Sequence, residues 1–406
     1  MKAQLSFLRG ISIICLSFFI SFINCSTDIE FQTLEIEPLT DVLTLELTFG
    51  ADENVLNEKF LLAIPYGIEV NYQNDILVLD ENWVKVYNSA GKGETTFGGP
   101  GQGPGEFSSR VLRIWISPNG YLTIFGGSTG FTAHYFRPDY TFIKRINYGH
   151  NPPYEELMNS YNFYPSRPEI VFNIGEAERV YAIDSRYIDD RITTDRRKIF
   201  LFYETADTLI TLANYMQSKI VPGSVAQFEF LGDLKVDLLP DNRIVYLHTF
   251  HDSKISETEA YYTITIISLN NMKKSFITHR YIPVEIEWEP YQYTDEEKEK
   301  YPVDYKRYKE EIKRNYEYFA ERKFRASLQS ILTDNKYIFA FTYHKNDKNE
   351  TLADIFDGDA GEYINSAYFP IVPRVIKNSD AYMIAKNEEG FYVIEKYKIN
   401  PAVYGK

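Results

Sequence analysis

Short apolar or alternating runs, broken every few residues by Gly, Pro, Asn and Asp, set the rhythm of this chain. Gly67 to Tyr72 reads as a strand, Ile76 to Leu79 as a buried apolar strand, and Asp80-Glu81-Asn82 as a turn. Val84 to Tyr87 then alternates, and Asn88 to Gly91 turns the chain again. The unit recurs. Leu112 to Ser117, Tyr121 to Phe125, His134 to Phe136 and Phe142 to Ile146 form a second group of four strands. A third group starts at Ile170, Val180, Lys198 and Thr208, a fourth at Leu234, Ile244, Tyr261 and Ser275, and a fifth at Ser327, Tyr337, Ala353 and Tyr363.

Two segments end in Phe-Gly, at Phe49-Gly50 and Phe97-Gly98, roughly 48 residues apart, which is the spacing of propeller blades. Ala381 to Ala385 and Phe391 to Tyr397 supply inner strands of a sixth group that lacks an outer one. Leu43 to Phe49 is an orphan of the outer type. Pairing the two closes a ring and removes exposed strand edges. The sequence therefore predicts an all-β, six-bladed β-propeller over residues 40–400, closed by an N-terminal strand. One helix is inserted over 294–323, where Tyr301, Tyr305, Tyr308, Ile312, Tyr316 and Phe319 recur at helical spacing among mixed charges. That stripe is expected to pack on the propeller rim.

The stretch Phe97-Gly98-Gly99-Pro100-Gly101-Gln102-Gly103-Pro104-Gly105-Glu106-Phe107 resembles the glycine-rich link between blades in NHL-like propellers of the TolB-like superfamily. Asp80, Asn82, Val84 and Tyr87 echo that family's turn. The resemblance implies a six-bladed ring and, since many relatives are bacterial lipoproteins, an exported, anchored protein.

The N-terminus agrees with that implication. Lys2 and Arg9 precede an apolar stretch, Ile11 to Ile23, that is short for a membrane span and suits a signal peptide. Phe22-Ile23-Asn24-Cys25 resembles a lipobox, with Phe22 and Asn24 where the family usually has Leu and a small residue. The expected layout is a signal peptide over 1–24, a lipid on Cys25, a tether over 25–39 and then the propeller, held at the outer membrane of a bacterial envelope, on its periplasmic or surface face. Cleavage removes Cys15, and a single remaining Cys forms no internal disulfide.

Composition adds exclusions. Tyr and Phe number 33 and 28, which favours sheet. A net charge of −14 repels phosphate backbones, so nucleic acid is not an expected partner. The glycines at 98–105 lack phosphate-loop spacing, and Pro100 and Pro104 prevent a helix from opening there. No sialidase box occurs. Of the six histidines, His248 and His251 are three apart and meet only if the turn between them curls; His134, His150, His279 and His344 are isolated. No catalytic residue, metal ligand or cofactor is assigned. The function expected is a binding module for a protein, a small molecule or a glycan, with Trp83, His134, Arg137 and His248 as candidate loop residues. The alternatives are a propeller hydrolase or lyase with a metal in the channel, and a scaffold subunit of an envelope complex.

Overall fold

The computed structural model describes residues 37–51, 58–126, 132–149, 152–163, 168–186, 195–220, 232–255, 259–286, 294–300 and 323–406, with Pro302, Tyr305, Lys306 and Lys309. Six antiparallel sheets follow one another along the chain. Blade 1 holds β2 (Pro65–Val70), β3 (Ile76–Asp80), β4 (Trp83–Tyr87) and β5 (Gly93–Gly98). Blade 2 holds β6 (Val111–Ile116), β7 (Leu122–Gly126), β8 (Thr132–Phe136) and β9 (Phe142–Asn147). Blade 3 holds β10 (Pro168–Asn173), β11 (Arg179–Arg186), β12 (Asp195–Glu204) and β13 (Leu209–Ile220).

Blade 4 runs from β14 (Leu234–Leu239) and β15 (Arg243–His248) to β17 (Ala260–Ser268) and β18 (Lys274–Arg280), with a short extra strand β16 (Ser253–Ile255) beside β17. Blade 5 holds β19 (Leu328–Asp334), β20 (Tyr337–Lys345), β21 (Thr351–Asp357) and β22 (Glu362–Phe369). Blade 6 is ordered β23 (Val375–Lys377), β24 (Asp380–Lys386), β25 (Tyr392–Ile399), β1 (Leu43–Phe49). The N-terminal strand is thus the outer strand of the last blade, opposite β25 from Leu43↔Ile399 to Phe49↔Ile394. A six-bladed β-propeller closed through its N-terminal strand is the observed fold.

The burial pattern explains why this sequence takes that shape. The second strands of blades 1 and 2, β3 and β7, are buried at every position, because both faces of the sheet are covered by neighbouring blades. Six hydrophobic clusters form among the described residues, and each lies between two consecutive blades. In the cluster between blades 6 and 1, Phe49 and Ile394 meet Ile76 and Val78. Burying such surface is the main favourable term in folding, and here it requires the ring rather than any blade alone.

The glycine-rich link folds back on itself. Phe107 N–H donates to the Gly99 carbonyl at 2.8 Å, and the Glu106 carboxylate accepts from Gly103 N–H at 2.7 Å. Gly98 sits at φ +84° with the buried Phe107 ring against it; a Cβ there would lie 2.3 Å from that ring. Left-handed backbone and close approach together require glycine at this position.

Two elements, β23 and a helix before blade 3, differ from the sequence reading, and the insert is helical where it is described. Blade 6 begins with β23, a three-residue innermost strand, so 381–385 and 391–397 fall in its second and third strands. Helix α1 (Glu155–Ser160) links blades 2 and 3 and buries Met158. At the insert, α2 (Asp295–Lys300) is capped reciprocally: Thr294 Oγ1 accepts from Glu297 N–H at 3.2 Å, and Glu297 Oε2 accepts from Thr294 N–H at 2.9 Å. The two ends of the insert meet, with Ile286 N–H on the Lys323 carbonyl and Arg325 N–H on that of Val284, both at 2.9 Å. Tyr301, Tyr308, Ile312, Tyr316 and Phe319 lie outside the described residues, as do residues 1–36 with Cys25. No described helix is long and apolar enough to cross a membrane.

Candidate functional site

Each blade contributes its first strand to the ring's axis. A cavity of about 210 Å3 lies there, lined from all six of β2, β6, β10, β14, β19 and β23. It sits towards the end where each first strand turns into the second. At those turns Asn119 Nδ2 donates to Asn242 Oδ1 at 2.8 Å and to the Ile174 carbonyl at 3.2 Å. Asn335 Nδ2 donates to Asn378 Oδ1 at 3.3 Å, and Asn378 in turn donates to Asn74. The turns are thereby tied into two arcs, blades 2-3-4 and 5-6-1. Asn74, Asn242, Asn335 and Asn378 all have φ between +52° and +67°, a region Asn tolerates better than most residues.

The cavity wall has two characters. Trp115, Ile170, Phe172 and Val236 make an apolar side from blades 2, 3 and 4. Glu69, Asp237, Arg374 and Lys377 bring charge from blades 1, 4 and 6. Blades 1 and 4 are opposite each other in a ring of six, so Glu69 and Asp237 face the cavity from opposing walls. Both are half-buried and line the channel. Asp237 has fixed partners: its Oδ1 accepts from Leu238 N–H and its Oδ2 from Thr333 N–H, each at 2.8 Å. Burial nevertheless pushes its carboxyl up to about 6, against those hydrogen bonds and the Lys377 charge. Burial first, and the Asp237 charge second, hold the Glu69 carboxyl well above the usual range, with Lys377 opposing. Among the described residues, the side chains of Glu69, Arg374 and Lys377 take no hydrogen-bond or ion-pair partner.

The four residues singled out from sequence lie elsewhere, and none lines this cavity. Trp83, at the start of β4, covers the glycine link; a Cβ on Gly99 would lie 2.6 Å from its ring. His134, on β8, is buried edge-on to Phe107, with ring centroids 5.0 Å apart. Burial, assisted by Arg145, lowers its imidazole to about 4, so it is neutral near pH 7. Arg137 follows β8 and pairs with Glu176 at 2.7 Å, joining exposed turns of blades 2 and 3. His248 ends β15 fully buried; its Nδ1 accepts from the N–H groups of Phe250 and His251, both at 3.3 Å.

Trp83 and His248 lie at one end of the strands and Arg137 at the other, on blades 1, 4 and 2, so the structure does not bring them together. It does bring His248 and His251 together: the turn curls their rings to 4.6 Å between centroids. Among the described residues no group of three or more His, Cys, Asp or Glu could hold a metal. The described histidines also stand away from the channel cavity.

The channel residues carried one signal in the sequence. Glu69 lies between Ile68 and Val70, Asp237 between Val236 and Leu238, and Lys377 just after Val375 and Ile376. In each of these three a charge stands beside apolar neighbours in a first strand.

No family model matches the chain, and no curated protein matches it. Solved structures with a related shape include a chain of the mitotic checkpoint complex, 9% identical over 88% of this chain and 94% of that one, with a TM-score of 0.39. Another is the PQQ domain of pyranose dehydrogenase from Coprinopsis cinerea in its holo form, 11% identical over 88% of this chain and 98% of that one, with a TM-score of 0.37. A third is the β-propeller domain of the Trilobed protease from Pyrococcus furiosus, 9% identical over 80% of each chain, with a TM-score of 0.32. Likeness at this level carries no argument about function, and the fold rests on the six sheets themselves.

Proposed function

We propose that this chain is an exported, lipid-anchored propeller of the bacterial envelope that binds a small ligand in its central channel. Export and anchoring are supported by Lys2 and Arg9, the apolar stretch Ile11 to Ile23, and Cys25 in its lipobox-like setting. Kinship with NHL-like propellers is part of the same proposal and rests on the Gly98–Phe107 link.

The observation that carries the binding reading is the channel wall. Glu69 and Lys377 are half-buried ionisable groups in one cavity and have no partner among the described residues. Charges withdrawn from water cost free energy unless something pairs with them. A concave, largely preformed site with a few convergent polar groups is the usual form of a small-molecule site. No observation favours channel metal chemistry or a scaffold role above this one.

Native mass spectrometry of the full-length protein, taken gently from its own envelope, tests the reading. A bound small molecule should appear on the wild type and be lost from the double variant Glu69→Gln/Lys377→Met. A wild-type mass with no adduct, or one that survives the double change, would overturn it.

A further inference from the structure

We infer that the channel site is built for a small zwitterion, an α-amino acid with an apolar side chain. This inference rests on the reading of the channel as a ligand site and adds the chemical class.

The charges are placed for two opposite ends of one molecule. Glu69 and Asp237 offer carboxylates from opposing walls, and Lys377 and Arg374 on blade 6 offer cations to the same space. Lys377 is close enough to act electrostatically on both acids, yet it forms no ion pair with either. The gap between unlike charges is therefore kept open. A ligand ammonium set between Glu69 and Asp237 relieves their mutual repulsion. A ligand carboxylate reaches Lys377, with Arg374 exposed beside it. A purely cationic ligand leaves Lys377 unmatched, and a purely anionic one meets two carboxylates.

The remaining wall sets the rest of the ligand. Trp115, Ile170, Phe172 and Val236 are apolar and need a hydrocarbon group against them. Size sets the limit. One water occupies about 30 Å3 of liquid, so a cavity of about 210 Å3 holds a molecule on the order of seven to nine non-hydrogen atoms. That admits a branched aliphatic amino acid.

The test uses three probes of nearly one shape: L-leucine, isoamylamine with only the cation, and 4-methylpentanoate with only the anion. Titration calorimetry on the folded protein should show leucine binding roughly tenfold or more tighter than either single-charge analogue, since each omits a charge-assisted contact. Glu69→Gln should weaken leucine by a similar factor while 4-methylpentanoate binds no more weakly than before. Lys377→Met should weaken leucine while isoamylamine binds no more weakly than before. An amine that matches leucine makes this a cation site, a carboxylate that matches it makes an anion site, and either result overturns the inference. Failure of all three probes overturns it too. The channel reading then survives if the native protein still carries an adduct that the double variant loses, and falls with the inference if it does not.

Discussion

The carbonyl of Val42, at the foot of β1, accepts a hydrogen bond from the backbone N–H of Asn400 at 2.9 Å, just beyond the end of β25. The first and last strands of the ring are therefore joined by backbone bonds as well as side chains. Val42 and Ile399 share one inter-blade cluster with Phe369 and Tyr404, while Phe49 and Ile394 share the next with Tyr87. One strand closes two cores.

That double role makes the clasp costly to damage. Phe49 is buried, with its ring centroid 4.9 Å from that of Tyr87 in blade 1. Replacing it by Ala should cost about 3–5 kcal/mol of stability, read as a lower urea midpoint. Deleting residues 40–50 should lower the melting temperature far more than deleting 26–35. Equal melting of the two truncations would mean that the ring holds without its clasp.

The proposed anchor is tested at one atom. Cys25→Ser removes the thiol that would carry the lipid, and the acyl chains supply the membrane affinity. The variant should leave the membrane pellet for the soluble fraction after export. A variant that still pellets with membranes would show another mode of attachment.

Channel electrostatics predict a pH dependence with a definite sign. The Asp237 carboxyl titrates at about 6 in the fold and at about 3.9 in an unfolded chain. The folded state thus binds more protons between these values, and stability from this site falls as pH rises through them. The contribution is fully present below about pH 4 and lost above about pH 6, amounting to up to about 3 kcal/mol. Glu69, also raised, acts in the same direction, and Lys377 opposes both. Other carboxylates behave oppositely: Asp357, paired with Lys336, is lowered and loses its contribution on acidification. The comparison must therefore be with Asp237→Asn. The melting temperature of the variant relative to wild type should be higher at pH 7.5 than at pH 5. A constant difference between the two proteins across this range would remove Asp237 as the titrating group.

The blades were legible in the sequence because their middle strands are covered on both faces, which writes apolar runs such as Ile76 to Leu79 into the chain. The closing strand was legible for a related reason. Phe49-Gly50 and Phe97-Gly98 occupy the same outer-strand position in blades 6 and 1, so they look alike. β23 was not legible: three residues carry no period, and their place is fixed by Tyr382, Ala381 and Asp380 across the sheet. The channel wall was hidden for a different reason. Its charges come from three separate blades, and only closure of the ring assembles them. Trp83 and Arg137 stood out as large side chains near turns, yet packing on Gly99 and pairing with Glu176 account for where they are.

A buried ion pair in blade 1 gives the last test. Asp80 is wholly buried at the end of β3, and Lys85 of β4 meets its Oδ2 at 2.6 Å. The same carboxylate accepts the N–H groups of Ala63, at 3.0 Å, and Ile64, at 2.6 Å, just before β2. Lys85 also donates to the Leu61 carbonyl. The pair thus fixes the path by which the chain passes from the clasp into the first blade. Removing the carboxylate alone leaves a buried ammonium without its counter-charge and two backbone donors unmatched. Asp80→Ala should therefore cost about 3–5 kcal/mol. Lys85→Met should cost less, because its carboxylate partner keeps the hydrogen bonds from Ala63 and Ile64. The double variant should be more stable than the sum of the single losses implies, since no unpaired buried charge remains. Urea midpoints for the four proteins give the coupling directly, and additive losses would show that the two charges are independent despite their contact.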